Sequence, residues 1–120
     1  METVPQFIST LFASRTQAHI FHLQTTSFAQ HKALNEYYDG IIDLVDGFIE
    51  SYQGRHGIIR GYSSPSSFRE DDSTVKYFEG LNKYVELTRE KLPQDSYLQN
   101  QVDEIVALIE TTVYKLKYLR

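Results

Sequence analysis

The sequence predicts an all-α protein, a four-helix bundle with one long crossover between its second and third helices. Two observations carry this. Apolar residues recur every three to four positions in four separate stretches, and the gaps between those stretches are short, long and short. At 120 residues the chain is long enough to bury one core and too short for two, so it reads as a single domain over 1–120.

The first helix is expected over about residues 5–23. Pro5 suits a first turn, where its missing N–H costs nothing, and Ile8, Leu11, Phe12, Arg15, Ala18, His19 and His22 recur at helical spacing before Thr25, Thr26 and Ser27 break it. The second, over about residues 28–53, is the most regular. Ser27 and Gln30 make a capping box, and Leu34, Tyr38, Ile41, Val45, Phe48, Ile49 and Tyr52 form one apolar stripe. Gly54 stands where a left-handed C-terminal cap is expected, while Gly40 and Gly47 lie inside and should each cost about 1 kcal/mol against alanine.

Residues from about 55 to 71 carry Gly, Ser and Pro without clear period, which makes them the crossover and His56 a loop residue. The third helix, about 73–91, sets Val75, Phe78, Leu81, Val85 and Thr88 on one face. After the Leu92-Pro93-Gln94-Asp95 turn, Ser96 and Gln99 repeat the capping box. The fourth helix, about 96–119, then carries Leu98, Val102, Ile105, Ile109, Thr112, Leu116 and Leu119. Short links make antiparallel neighbours, and one long crossover is the ferritin-like form of this bundle.

Composition excludes several chemistries. With no Cys there are no disulfides, thiolate metal sites or cysteine nucleophiles. No basic region followed by an apolar run opens the chain and no stretch approaches a membrane span, so a soluble cytoplasmic protein is expected. A net charge of −4 argues against a general nucleic-acid binder; Lys115, Lys117 and Arg120 complement the negative end of the last helix instead. No phosphate loop, nucleophile elbow or HExxH occurs, and no Glu-x-x-His pair of an internal di-iron bundle. Of nine tyrosines, Tyr37, Tyr62, Tyr77, Tyr97, Tyr114 and Tyr118 are expected on the surface.

Five residues remain as candidate metal ligands: His19 on the first helix, and His31, Asn35, Asp46 and Glu50 on the second. At 100° per residue the last four share a strip about 100° wide beside the apolar stripe, at the edge of their own bundle. His31 and Glu50 are 19 positions apart, about 28 Å along a helix, too far for one ion. An antiparallel copy across a two-fold brings His31 and Asn35 of one chain against Asp46 and Glu50 of the other. The midpoint falls between Gly40 and Ile41, where a glycine would let two helices approach closely. Taken singly, each is ordinary: a hydrogen-bonded core histidine, a solvated His–Asn pair, a surface acid pair. His22, one turn from His19, suits packing against the second helix or a supporting hydrogen bond.

The order His19, His31, Asn35, Asp46, Glu50 resembles the inter-subunit ferroxidase site of the Dps mini-ferritins. So does the text around it: "TQAH" ending at His19, Phe28 three before His31, and "DGFIE" from Asp46 to Glu50. The resemblance covers about residues 16–54, with the closing "YKLKYLR" far less specific. It implies a homo-oligomer paired through helix 2 near Gly40 that binds iron, or another divalent metal such as zinc, and has weak ferroxidase activity. Asn35 stands where the family has Asp, the Lys-rich DNA-holding tail is missing, and the chain is shorter than usual, similar in size to small phage-encoded proteins. The alternative is a non-enzymatic scaffold or interaction protein with a degenerate metal site.

Overall fold

The computed structural model describes residues 3–65 and 67–119. Four helices follow in order: α1 (Thr3–Gln24), α2 (Phe28–His56), α3 (Thr74–Thr88), which closes in a 3-10 turn over Arg89–Lys91, and α4 (Ser96–Tyr118). The Thr25–Ser27 link and the turn before Ser96 fold neighbouring helices back on each other. Among the described residues no helix is long and apolar enough to cross a membrane.

The crossover fixes the topology. Ile59 is buried, its N–H bonded to Gln53 Oε1 at 3.0 Å. Gly61 lies against Pro5, the Ser63 N–H donates to Ser9 Oγ at 3.1 Å, and Arg69 meets Gln17. The chain therefore climbs α1 from its start toward its end before α3 begins. So α3 runs parallel to α2 and antiparallel to α1, with α4 returning between α2 and α3. Each helix is antiparallel to both neighbours, which the short, long, short spacing anticipates.

The core is one continuous cluster. Phe7, Ile8, Leu11, Ala18 and Phe21 come from α1, and Leu34, Tyr37, Ile41, Val45 and Phe48 from α2. Phe78, Leu81 and Val85 come from α3, and Leu98, Val102, Ile105, Ile109 and Leu116 from α4. Aromatic edges lock it: Phe7 meets Phe48 at 5.6 Å and Tyr37 meets Phe78 at 4.8 Å, both near T-shaped. Tyr37 corrects an expectation: it is fully buried rather than on the surface, and Tyr77 is half-buried, whereas Tyr62, Tyr97, Tyr114 and Tyr118 are exposed. Phe12, Arg15, His19 and Leu119 lie outside the core their spacing suggested, and Arg120 is outside the described residues.

The helix ends depart from the sequence reading in three places. Ser27 Oγ accepts the Gln30 N–H at 3.2 Å, but Gln30 does not reach back; Thr25 Oγ1 accepts the Ser27 N–H and donates to Gln30 Oε1. The Ser96–Gln99 box does not form. Asp95 precedes α4, while the Gln99 amide donates to the carbonyls of Arg89 and Pro93 and accepts from Arg89 Nε. A cation reaching back from the 3-10 turn, also bonded to Asp103 at 2.7 Å, competes successfully for Gln99. Finally, α2 runs past Gly54 to His56 and stops at Gly57, whose φ of +100° favours glycine. His56 is thus helical, and its Nε2 meets Asp95 at 3.0 Å; this bond, with Arg55 nearby, holds the Asp95 carboxyl below its ordinary range.

These glycines give a paired prediction. Gly57→Ala should destabilise by about 1–2 kcal/mol through the left-handed φ. Gly80→Ala, inside α3 with open space around the added methyl, should stabilise by about 1 kcal/mol. Urea midpoints moving in opposite directions check both.

Candidate functional site

The candidate ligands lie along the outer seam of α1 and α2, and the structure gathers only part of them. His22 and His31 stack with centroids 3.6 Å apart and planes 21° from parallel. Each ring reaches across the seam to the other's backbone: His22 Nδ1 to His31 O at 2.8 Å, and His31 Nδ1 to His22 O at 2.9 Å. A carbonyl only accepts, so both Nδ1 atoms carry the proton, and the neutral form of each ring has its lone pair on Nε2. Histidine so held by its inner nitrogen is the form that metal centres use.

His19 is exposed on the same seam, its ring stacked on Tyr38 at 4.5 Å and 5.8 Å from that of His22. Tyr38 links this group to Asn35, donating to Oδ1 at 2.6 Å, while Asn35 Nδ2 donates to Asp39 Oδ2 at 3.0 Å. Sequence reasoning placed His19, His31 and Asn35 but missed Tyr38 and Asp39 as their partners; the i, i+3 and i, i+4 spacings around Asn35 were the available signal.

Asp46 and Glu50 are exposed farther along α2. Among the described residues no group of three or more His, Cys, Asp or Glu side chains could hold a metal ion within one chain. Gly40 is corrected: a Cβ there would meet the Leu108 side chain at 3.4 Å, so it faces α4, about 180° from His31. Its height matches the midpoint of the ligand pairs but its direction does not, and the close approach it serves is α2 on α4.

A cleft of about 630 Å³ lies apart from these residues, between the α1–α2 turn and the start of α3. Its Glu70, Asp71 and Asp72 are acidic, but Asp71 is turned onto Ser73, whose hydrogen bonds hold that carboxyl below its ordinary range.

The model of a family of unknown function, DUF5856, matches residues 22–116. The chain belongs to that family. It is also similar to a protein of Enterobacteria phage T4 described as an uncharacterized 14.6 kDa protein in the mobD-ri intergenic region. The two are 26% identical over 114 residues, which cover 95% of this chain and 84% of the phage protein. No solved structure matches. The DUF5856 match begins at His22, so it takes in His31, Asn35, Asp46 and Glu50 and leaves His19 outside.

Proposed function

We propose that this DUF5856 chain is a Dps-like metal-binding protein of ferritin-like fold, whose centre is completed between two copies. The observation that carries the reading is the tautomer of His31. Its Nδ1–H is fixed on the His22 carbonyl, which leaves the Nε2 lone pair free, and His31 stands at one end of the helical strip that carries Asp46 and Glu50. Across a two-fold, His31 and Asn35 of one chain would face Asp46 and Glu50 of the other, with His19 beside them. Imidazole and carboxylate suit iron, and also zinc. The topology of short, long and short connections supports the ferritin-like assignment.

Iron is here a substrate. Two Fe(II) ions give one electron each to one hydrogen peroxide, yielding two Fe(III) and two hydroxides. The chain's part is to bind: His31 supplies a neutral donor, and Asp46 and Glu50 supply anionic oxygens that favour the more highly charged product. Asn35 contributes only a carbonyl oxygen, so slow turnover is expected.

A second reading has its own support. Both polar ends of Asn35 are already used, by Tyr38 and Asp39. That suits a non-enzymatic scaffold or interaction protein that keeps the helix pairing without the metal. Anaerobic Fe(II) and Zn(II) titrations separate the two. The metal reading expects saturable binding near one ion per chain that falls at least about tenfold in an Asp46→Ala, Glu50→Ala double variant. Equal binding by both proteins, or none by either, sinks it and leaves the scaffold.

A further inference from the structure

The start of α3 is a helix end whose donors go unanswered. Its first helical bond runs from the Tyr77 N–H to the Ser73 carbonyl at 3.0 Å. The N–H groups of Thr74, Val75 and Lys76 precede that bond and have no partner among the described residues. Ser73, at the cap position, does not serve them, because its hydroxyl donates to Asp71 Oδ1 and accepts from Arg69. Thr74 adds a second, independent sign. It is 4% exposed, and its hydroxyl has no hydrogen-bond partner among the described residues. Nor is that hydroxyl one of the sealed polar atoms without a partner, which are Asn82 Oδ1 and Gln101 Oε1. It therefore keeps some open surface, and Thr74 lines the cleft of about 630 Å³.

The rest of that cleft is chemically two-sided. Phe21 and Leu116 are buried and form its floor with the half-buried Val75. Glu70 and Asp72 are exposed on its edge and make no ion pair among the described residues. Lys76, exposed and likewise without an ion pair, is its one lining cation among them. A simple anion at the helix end would face the carboxylates of Glu70, Asp71 and Asp72. A simple cation would meet Lys76 and leave the N–H groups unanswered. A ligand carrying both charges close together answers both sets. In an α-amino acid the ammonium and the carboxylate share one carbon, and Asp72 stands only two residues before Thr74. The cleft falls within the roughly 300–1,000 Å³ of small-molecule sites, so such a head group leaves room for a side chain on the apolar floor.

We propose that this cleft binds a free α-amino acid with an apolar side chain. Glu70 and Asp72 take its ammonium. The N–H groups that open α3, with the Thr74 hydroxyl and Lys76, take its carboxylate, as a helix N-terminus favours. Phe21, Val75 and Leu116 take its side chain. The site shares no residue with the metal ligands proposed above and does not depend on them.

The test is an amide NMR titration of the full chain with three probes: L-leucine, L-leucinamide, which lacks the carboxylate, and N-acetyl-L-leucine, which lacks the ammonium. Leucine should shift the amides of Thr74, Val75 and Lys76 saturably, with a Kd of about 1 mM or tighter, and each of the other two should bind at least about fivefold more weakly. Thr74→Val should weaken leucine about tenfold, and the exposed pair Glu70→Gln, Asp72→Asn about fivefold. Stability supplies a readout that a structural role would move the other way. Removing a buried hydroxyl that has no partner should leave the urea midpoint of Thr74→Val unchanged or raised, whereas a structural hydrogen bond would lower it. No saturation by leucine overturns the proposal. So does leucinamide binding as well as leucine, which marks a plain acidic patch, or N-acetyl-leucine doing so, which marks a plain anion site. Unweakened binding by either variant, or a lowered midpoint in Thr74→Val, also overturns it.

Discussion

Tyr37→Phe is expected to lower stability by about 1–2 kcal/mol at neutral pH and to make the protein more tolerant of alkali than the wild type. The phenol is fully buried and its oxygen lies 2.7 Å from Ser14 Oγ. Ser14 spends its one proton on the Leu11 carbonyl at 2.7 Å, so Tyr37 must be the donor between them. Removing the hydroxyl leaves Ser14 Oγ with an unmet acceptor in a dry core. Tyr37→Ala also removes the ring from Phe78 and opens a cavity. It should cost about 3–5 kcal/mol, much of the roughly 5–15 kcal/mol that holds a domain of this size.

The alkaline behaviour follows from burial. Desolvation raises the Tyr37 phenol far above its ordinary value near 10, and pushes Tyr77 up to about 12. The unfolded chain releases these protons near pH 10 while the folded chain keeps them. The stabilisation is therefore complete below about pH 10 and is lost as pH rises toward about 12. Each tyrosine contributes a slope of about 1.4 kcal/mol per pH unit across that window. Urea melts between pH 9 and about 11.5 should show the wild-type slope roughly halved in Tyr37→Phe. An unchanged slope would mean that Tyr37 is not the buried acid described.

Much of this fold was legible because period and connection length are properties of the chain itself. The errors come from competition and from direction. Tyr37 resembles a surface residue in sequence because the apolar stripe through Leu34, Tyr38 and Ile41 is narrower than the arc a bundle helix buries. Tyr37, at i+3 from Leu34, falls inside the wider arc. Ser96 and Gln99 have the right spacing for a capping box, but no sequence pattern announces that Arg89 will take Gln99. The helix passes Gly54 because glycine permits a cap without forcing one, and Gly57 supplies it.

The candidate site shows the same division. The strip of His31, Asn35, Asp46 and Glu50 follows from 100° per residue; Asp46 and Glu50 are exposed on it, whereas Asn35 is half-buried and His31 is half-buried against His22 of α1. The height of Gly40 along α2 suits a two-fold contact, but its direction sets it against Leu108 of α4 instead. His22 packs against α2 as its position suggests, but its pairing with His31 depends on the offset between α1 and α2, which the Thr25–Ser27 link sets and neither helix encodes.

Gln17→Leu is expected to free the crossover while leaving the four helices folded. Gln17 is 3% exposed on α1 and uses its amide as a backbone would. Oε1 accepts the Arg69 N–H at 2.8 Å, and Nε2 donates to the Arg69 carbonyl at 2.9 Å. This one side chain holds the top of the crossover, and Ser9 makes a single, weaker attachment below it. Arg69 in turn lies over the Tyr77 ring at 5.6 Å and donates to Ser73 Oγ at 3.2 Å, so the attachment also positions the residues that lead into α3. Leucine keeps roughly the volume and removes both bonds, which should cost about 2–3 kcal/mol, against about 1 kcal/mol for Ser9→Ala. The loss should be local. Amide exchange at Arg69 and tryptic cleavage after Arg60 and Arg69 should accelerate well beyond what the global change explains, with exchange in α2 and α4 following global stability. Gln17→Glu discriminates further, since a carboxylate still accepts from the Arg69 N–H but cannot donate to its carbonyl. It should fall between wild type and leucine below about pH 4, where the acid regains a proton to donate, and approach leucine at neutral pH. Equal protection of the crossover in all three proteins would mean that α3 packing alone, rather than Gln17, sets the path of the chain from α2 to α3.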